Sequence, residues 1–167
     1  NSVWAILGSL VIVFFYILFR FQKWQFSLGA VSAVFHDVLI VLGIFSITYK
    51  IMPFNMEINQ AFIAALWTVI GYSLNDTVVV FDRIREFFRS HSSWDSETTV
   101  NTALNSTLSR TLNTSLTTLI VLLAIFIFGG ESIRGFMFAL IIGVMVGTYS
   151  SVFIATPIMF DSYKNKN

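Results

Sequence analysis

The 167-residue chain is 56% hydrophobic and 11% charged, against about 25% charged residues in a soluble domain, and its mean hydropathy is +0.77. Too little charge is present to solvate a globular surface, so the composition is that of an integral membrane protein. A net charge of +1 with scattered basic residues excludes a nucleic-acid stripe, and the absence of cysteine excludes thiol catalysis, disulfides and cysteine-ligated metals.

Five apolar runs, 3–19, 28–49, 58–81, 111–128 and 136–160, approach or exceed the length of a spanning helix, which takes about 20 residues to cross a hydrocarbon core roughly 30 Å thick. They predict an all-α, polytopic bundle of five transmembrane helices. The first run lacks a basic leader and no small-residue cleavage site follows it, so it does not read as a cleavable signal. Arg20, Lys23, Arg83, Arg85, Arg89, Arg110, Lys164 and Lys166 fall on one side of the membrane, and only Lys50 and Arg134 on the other. That asymmetry predicts a cytoplasmic C-terminus and an outward N-terminus. An odd number of spans entered from outside predicts, in turn, a preceding extracytoplasmic region and a further helix. Trp4, Trp24 and Tyr163 lie near span ends, where aromatic belts form.

The second run carries Asp37 beside His36. As a metal site the pair is poor, because adjacent helical residues point about 100° apart and no further ligand has suitable spacing. Asp37 is expected either to hydrogen-bond a neighbouring helix or to join a proton path.

In the third run Asp76 is the only charge between Ile58 and Phe81. A carboxylate deep in a bilayer costs roughly 2.5–3.5 kcal/mol on insertion scales, so it must be paired, protonated or used. Thr68, Tyr72, Asn75, Asp76 and Val79 share one broad helical face, which is expected to point into the protein. Beyond it, Asp82 to Arg89 should continue the helix into the cytoplasm, with Glu86 spaced to pair with Arg83 or Arg89. HSSWDSE breaks that helix, and Asp95 or Ser96 is the expected N-cap of the next. Val100, Ala103, Leu104, Thr107 and Leu108 recur at helical period, predicting an amphipathic helix at the inner membrane surface that feeds into the fourth run. The segment 82–110 therefore reads as a solvated connector, a lipid-contacting stretch or a docking surface for a cytoplasmic partner.

At the inner entrance of the fourth run stands Arg110, with Asn113, Thr114 and Thr117 on the same face. This stripe could meet the Asp76 face in a hydrogen-bonded seam, or simply glue helices together. An arginine beside an aspartate favours the ionised form, so parting the two promotes proton uptake and reuniting them promotes release. In the last run Ala139, Gly143, Gly147, Ser151 and Ala155 place a small residue every fourth position, a close helix-packing face. There is no nucleophile–base pair, zinc motif or phosphate loop, so an enzyme is not expected.

GYSLNDTVVVFDRIRE at 71–86, HDVLIVLGIF at 36–45 and LNSTLSRTLNTSLTTLIVLLAIFIFGG at 104–130 together resemble the SecF family, including the SecF half of fused SecDF proteins. The resemblance covers nearly the whole chain. It implies membership of the resistance-nodulation-division superfamily of proton-driven machines in the bacterial cytoplasmic (inner) membrane. It also implies work beside the SecYEG channel with SecD, SecA and YajC on a translocating preprotein. No cofactor is implied beyond the proton gradient. By the same resemblance Asp76 is the family's proton-carrying aspartate and Arg110 the arginine that gates it. The family has six transmembrane helices per half, with an extracytoplasmic domain after the first, and this chain corresponds to the last five. Two rivals remain at this level: a proton-coupled exporter of the same superfamily, and a scaffold that stabilises the channel.

Overall fold

The structure is a computed structural model and describes residues 2–164, so Lys166 lies outside the described residues. Five helices follow one another: α1 (Ser2–Phe21), α2 (Trp24–Thr48), α3 (Gln60–Ser90), α4 (Ser96–Phe128) and α5 (Glu131–Lys164). No strand occurs among the described residues. By length and apolarity α2 to α5 are each able to cross a membrane, and α1 carries a shorter apolar stretch, Gly8–Phe21.

Local chemistry sets the helix ends. Gln22 turns the chain between α1 and α2 with φ at 56°, the left-handed region that a non-glycine residue rarely occupies. Asn59 caps α3 by accepting from the Phe62 backbone N–H (3.1 Å), and Asp95 caps α4 by accepting from that of Thr98 (2.9 Å). Between α3 and α4 only residues 91–95 leave the helical state. There His91 stacks against Phe87 and Trp94, with ring centroids 5.3 and 4.0 Å away. The charged extension of α3 forms its expected Arg83–Glu86 pair (2.7 Å), and Asp82 reaches back to Arg20 of α1 (3.0 Å).

Within α5, Ser151–Ala155 forms a single π-helical turn. Pro157 explains it: with no N–H to give the carbonyl four residues back, and a ring that crowds it, proline opens the turn ahead of it. The Thr156 hydroxyl donates to the Ser151 carbonyl (3.0 Å), so that widened turn keeps a partner.

α3 and α5 form the central pair; α2 packs against both, α4 closes the other side, and α1 lies beyond α2. In lipid the hydrophobic effect does not drive helices together, so close packing and hydrogen bonds must. Accordingly Gly143 seats directly on Val69, and Gly147 lies against Ser73, where an added β-carbon would sit 3.2 Å from the serine's own. Two apolar clusters occupy the ends of the bundle. One gathers Phe21, Phe26, Phe81, Ile84 and Met159 at the end rich in Arg and Lys, and the other gathers Val41, Phe45, Phe62, Leu66 and Ala139 at the far end.

The expected amphipathic helix feeds into the fourth span without a break. Residues 96–110 are the first part of α4 itself, and Val100 and Ala103 are buried against Val80, Phe81 and Ile84 of α3 and Ala155 and Met159 of α5. The α3 extension supplies a protein wall at that height, so the apolar face packs on it instead of on lipid.

Candidate functional site

Between the two apolar clusters runs a layer of hydroxyls and carboxylates contributed by four helices. Asp37 comes from α2, Ser73, Asp76 and Thr77 from α3, Thr107, Thr111 and Ser115 from α4, and Ser150 and Ser151 from α5, all buried. In a bundle held by dispersion, such a layer costs free energy unless its members satisfy one another.

Asp76 is 8% exposed and accepts a hydrogen bond on Oδ2 from the Ser151 hydroxyl (2.9 Å). Thr111 stands near the same carboxyl, but its hydroxyl makes no hydrogen bond of acceptable geometry. Thr77 and Thr107 likewise have buried hydroxyls without a protein partner; Thr77 continues the Val69–Ser73 stripe, and Thr107 stands one turn before Thr111 on α4. Farther along, Tyr72 donates to Ser115 (3.2 Å), which shares a hydrogen with Thr148 (2.6 Å), tying α3, α4 and α5.

A seam between the two polar stripes, one of the two readings open to them, does not form. Arg110, Asn113, Thr114 and Thr117 are exposed, and the threonines spend their hydroxyls on their own helix: Thr114 donates to the Arg110 carbonyl and Thr117 to that of Asn113. On α3, Thr68 and Asn75 are exposed too, Tyr72 and Val79 are half-buried, and only Asp76 of that face is buried. The inward faces are instead Val69–Ser73–Thr77 on α3 and Thr107–Thr111–Ser115 on α4, each at four-residue spacing. Both are lined with small or branched side chains that permit close approach, and close approach decides which face turns inward. Among the described residues Arg110 makes no ion pair with Asp76.

Arg110 instead lines a cavity of about 540 Å³ at the basic end, between α3 and α4, together with Thr107, Asp82, Arg83 and Glu86. Thr107 is both a wall of this vestibule and a member of the polar layer. The five small residues of α5 are all buried: Ala139, Gly143 and Gly147 lie on the α3 side, Ser151 on Asp76, and the Ala155 carbonyl against Gly29 of α2.

Asp37 is the most enclosed carboxylate of the layer. Its Oδ2 accepts from Ser73 (2.5 Å) and Ser150 (2.7 Å), and its Oδ1 lies 3.0 Å from Nδ1 of His36. Ser73, Ser150 and the Ser151 contact with Asp76 escape a sequence reading, since a lone serine in an apolar run is ordinary. The available signal was the Ser-Ser pair just past Gly147 and ahead of Thr-Pro, where a bulged helix needs polar partners.

Residues 1–165 match the family model described as "Protein export membrane protein SecD/SecF, C-terminal". Among curated relatives, the protein translocase subunit SecF of Rhodothermus marinus is 56% identical over 161 residues, 96% of this chain and 52% of the relative. The SecF subunit of Thermodesulfovibrio yellowstonii is 48% identical over 99% of this chain and 53% of its own length. A SecDF crystal structure in a "super-membrane-facing form" superposes with a TM-score of 0.86 at 41% identity, over 98% of this chain and 21% of that one. The chain thus spans about half the length of these curated relatives.

Proposed function

The chain belongs to the SecD/SecF protein-export membrane family, and on that premise we propose that it is the energy-coupling membrane portion of a SecF-type translocase subunit. In this reading proton movement through Asp76, under the influence of Arg110, drives preprotein export. The observation that carries it is a buried carboxylate held by one hydroxyl of α5, with the unpartnered Thr111 hydroxyl beside it and, one turn earlier on α4, the unpartnered Thr107 in the wall of a charged vestibule.

The chemistry follows from that arrangement. An ionised Asp76 accepts from Ser151 and so pins α3 to α5. A proton arriving at the carboxyl removes the charge that makes this hydrogen bond strong, and this link between the two helices weakens. Release runs past Thr107 into the vestibule, where Asp82 and Glu86 accept protons and the Arg110 guanidinium restores the preference for a charged Asp76. In this reading the vestibule, at the end rich in Arg and Lys, faces the cytoplasm by the positive-inside rule, and protons enter from the opposite face.

Arg110 and Asn113 are exposed on α4 among Leu108, Leu112 and Leu116, and Asn75 is exposed on α3. Lipid cannot satisfy such groups, which supports a partner helix bundle there. A SecD-type half fits, and it would complete the proton path. SecYEG, SecA and YajC are the further partners that a SecF-type role entails. The scaffold and exporter rivals lack a use for Asp76 or for the match to export subunits, respectively.

The test is proton-motive-force-dependent preprotein translocation by complete complexes carrying Asp76→Asn or Arg110→Ala at normal abundance. Loss of the force-dependent component is expected in both. Unimpaired translocation by Asp76→Asn would leave only the scaffold.

A further inference from the structure

Asp37 is more deeply buried than Asp76 and is given more hydrogen bonds, yet the relay above leaves it without a task. Its surroundings are asymmetric. Oδ2 already takes two hydroxyl donors, Ser73 at 2.5 Å and Ser150 at 2.7 Å, lengths typical of O–H···O⁻ bonds. An additional proton therefore lands on Oδ1, whose hydrogen-bond partner among the described residues is His36 Nδ1 at 3.0 Å. The Asp37 side chain is 1% exposed while that of His36 is 32% exposed, so the imidazole connects an enclosed carboxylate to the surface of the bundle.

We propose that His36 and Asp37 form a second proton-exchange site, separate from Asp76, and that the consecutive hydroxyls of Ser150 and Ser151 couple the two. In the exchange step the Nδ1–H bond of an imidazolium breaks, the Oδ1–H bond forms, and a neutral imidazole and a neutral carboxylic acid remain. The reverse step restores the charged pair. Imidazole suits this because its unperturbed titration lies near neutral pH.

The coupling has a specific geometry. Ser150 donates to Asp37 and Ser151, the next residue, donates to Asp76 (2.9 Å). Both serines stand where the π-helical turn Ser151–Ala155 begins. Each hydroxyl has an alternative acceptor on its own helix, the Gly147 carbonyl for Ser150 (3.2 Å) and the Thr148 carbonyl for Ser151 (2.9 Å). Because the two residues share one backbone turn, a shift of that turn when one carboxylate changes charge alters the donor available to the other. On α3, Ser73 and Asp76 are three residues apart, roughly 4.5 Å along the axis, so the same helix pair carries both contacts.

The groups facing Asp37 are few. α2 offers His36, α3 offers Ser73 with Asp76 one turn beyond, and α5 offers Ser150. The stretch of α1 that packs nearby, around Leu10, carries no ionisable acid or base before Tyr16 and Arg20.

The inference takes from the proposed function only that Asp76 binds a proton. The test is infrared difference spectroscopy of the protonated-carboxyl stretch in the full-length subunit, reconstituted with its partner half, between about pH 4 and pH 10. Two titrating carboxyl bands are expected, one abolished by Asp37→Asn and the other by Asp76→Asn. With Asp37→Asn the midpoint of the Asp76 band should move by about one pH unit or more, the signature of interacting sites. Ser150→Ala, which keeps both carboxyls, should also displace it, and Ser150→Thr should restore it. An Asp37 band that does not titrate in this range, or an Asp76 midpoint that ignores both Asp37→Asn and Ser150→Ala, overturns the proposal. Should Asp37→Asn fail to assemble, Ser150→Ala alone decides. Failure of the relay reading is distinguishable: Asp76→Asn would then export normally while the Asp37 band persisted.

Discussion

A β-carbon added at Gly143 would fall inside the Val69 side chain, with two more of its carbons at 2.8 and 2.9 Å. Val69 is fully buried in α3 and, being β-branched, has one strongly preferred rotamer on a helix, so it cannot swing aside. Ordinary contact begins near 3.4 Å; the overlap is relieved only if α3 and α5 part by roughly 1 Å or more, at a cost of about 1–3 kcal/mol for overpacking. That corresponds to a loss of roughly 5- to 150-fold in the folding equilibrium. The assay is titration of the full-length subunit with a denaturing detergent, followed by tryptophan fluorescence, with Trp67 two residues from the contact as reporter. Gly143→Ala should unfold earlier than the parent. Val69→Ala alone leaves a cavity, but combined with Gly143→Ala it should recover stability, giving a coupling of about 1 kcal/mol or more. A parental midpoint for Gly143→Ala, or strictly additive effects, would show that α3 and α5 do not meet as described.

Two further predictions concern the ends of the bundle. The Thr98 hydroxyl and backbone N–H hold the Asp95 carboxyl below its ordinary value of 3.8. Its cap on α4 is therefore complete above that value and lost as pH falls through the lowered one. Amide exchange at Thr98 and Thr99, corrected for intrinsic rates, should accelerate over that acidic range. Asp95→Asn should remove the pH dependence, and undiminished protection in Asp95→Ala would refute the cap. In the far cluster, the Phe45 and Phe62 ring centroids are 4.2 Å apart. Phe45→Ala should cost about 3 kcal/mol and lower the amount of folded subunit in membranes, while Phe45→Leu should be milder; equal abundance of all three would contradict the packing.

Hydropathy alone delimits the membrane helices because bilayer thickness imposes a length that sequence must meet. The Asp95 cap is legible for a similar reason: its side chain acts on a backbone only three residues away. Helix facing was harder. Arg110–Asn113–Thr114–Thr117 and Thr107–Thr111–Ser115 are both regular helical stripes, and in lipid polarity does not by itself point inward. Side-chain size and approach distance decide, and these are properties of pairs of helices, such as Gly143 on Val69. The burial of Asp76 was readable from its own cost; its attachment to Ser151 was not, because that contact joins residues 75 positions apart.

The π-helical turn makes the length of α5 a counted quantity. Before it, Gly143 and Gly147 meet α3; at its last residue, Ala155, and beyond it, at Met159, the helix meets Gly29 of α2. One residue gained or lost between Ser151 and Ala155 would rotate everything that follows by about 100°, stranding either the serines or the α2 contact. Extra residues between His91 and Asp95 would merely lengthen a bend. A chain of this kind should accept insertions generously at its polar corner and refuse even a single one in the middle of its last helix.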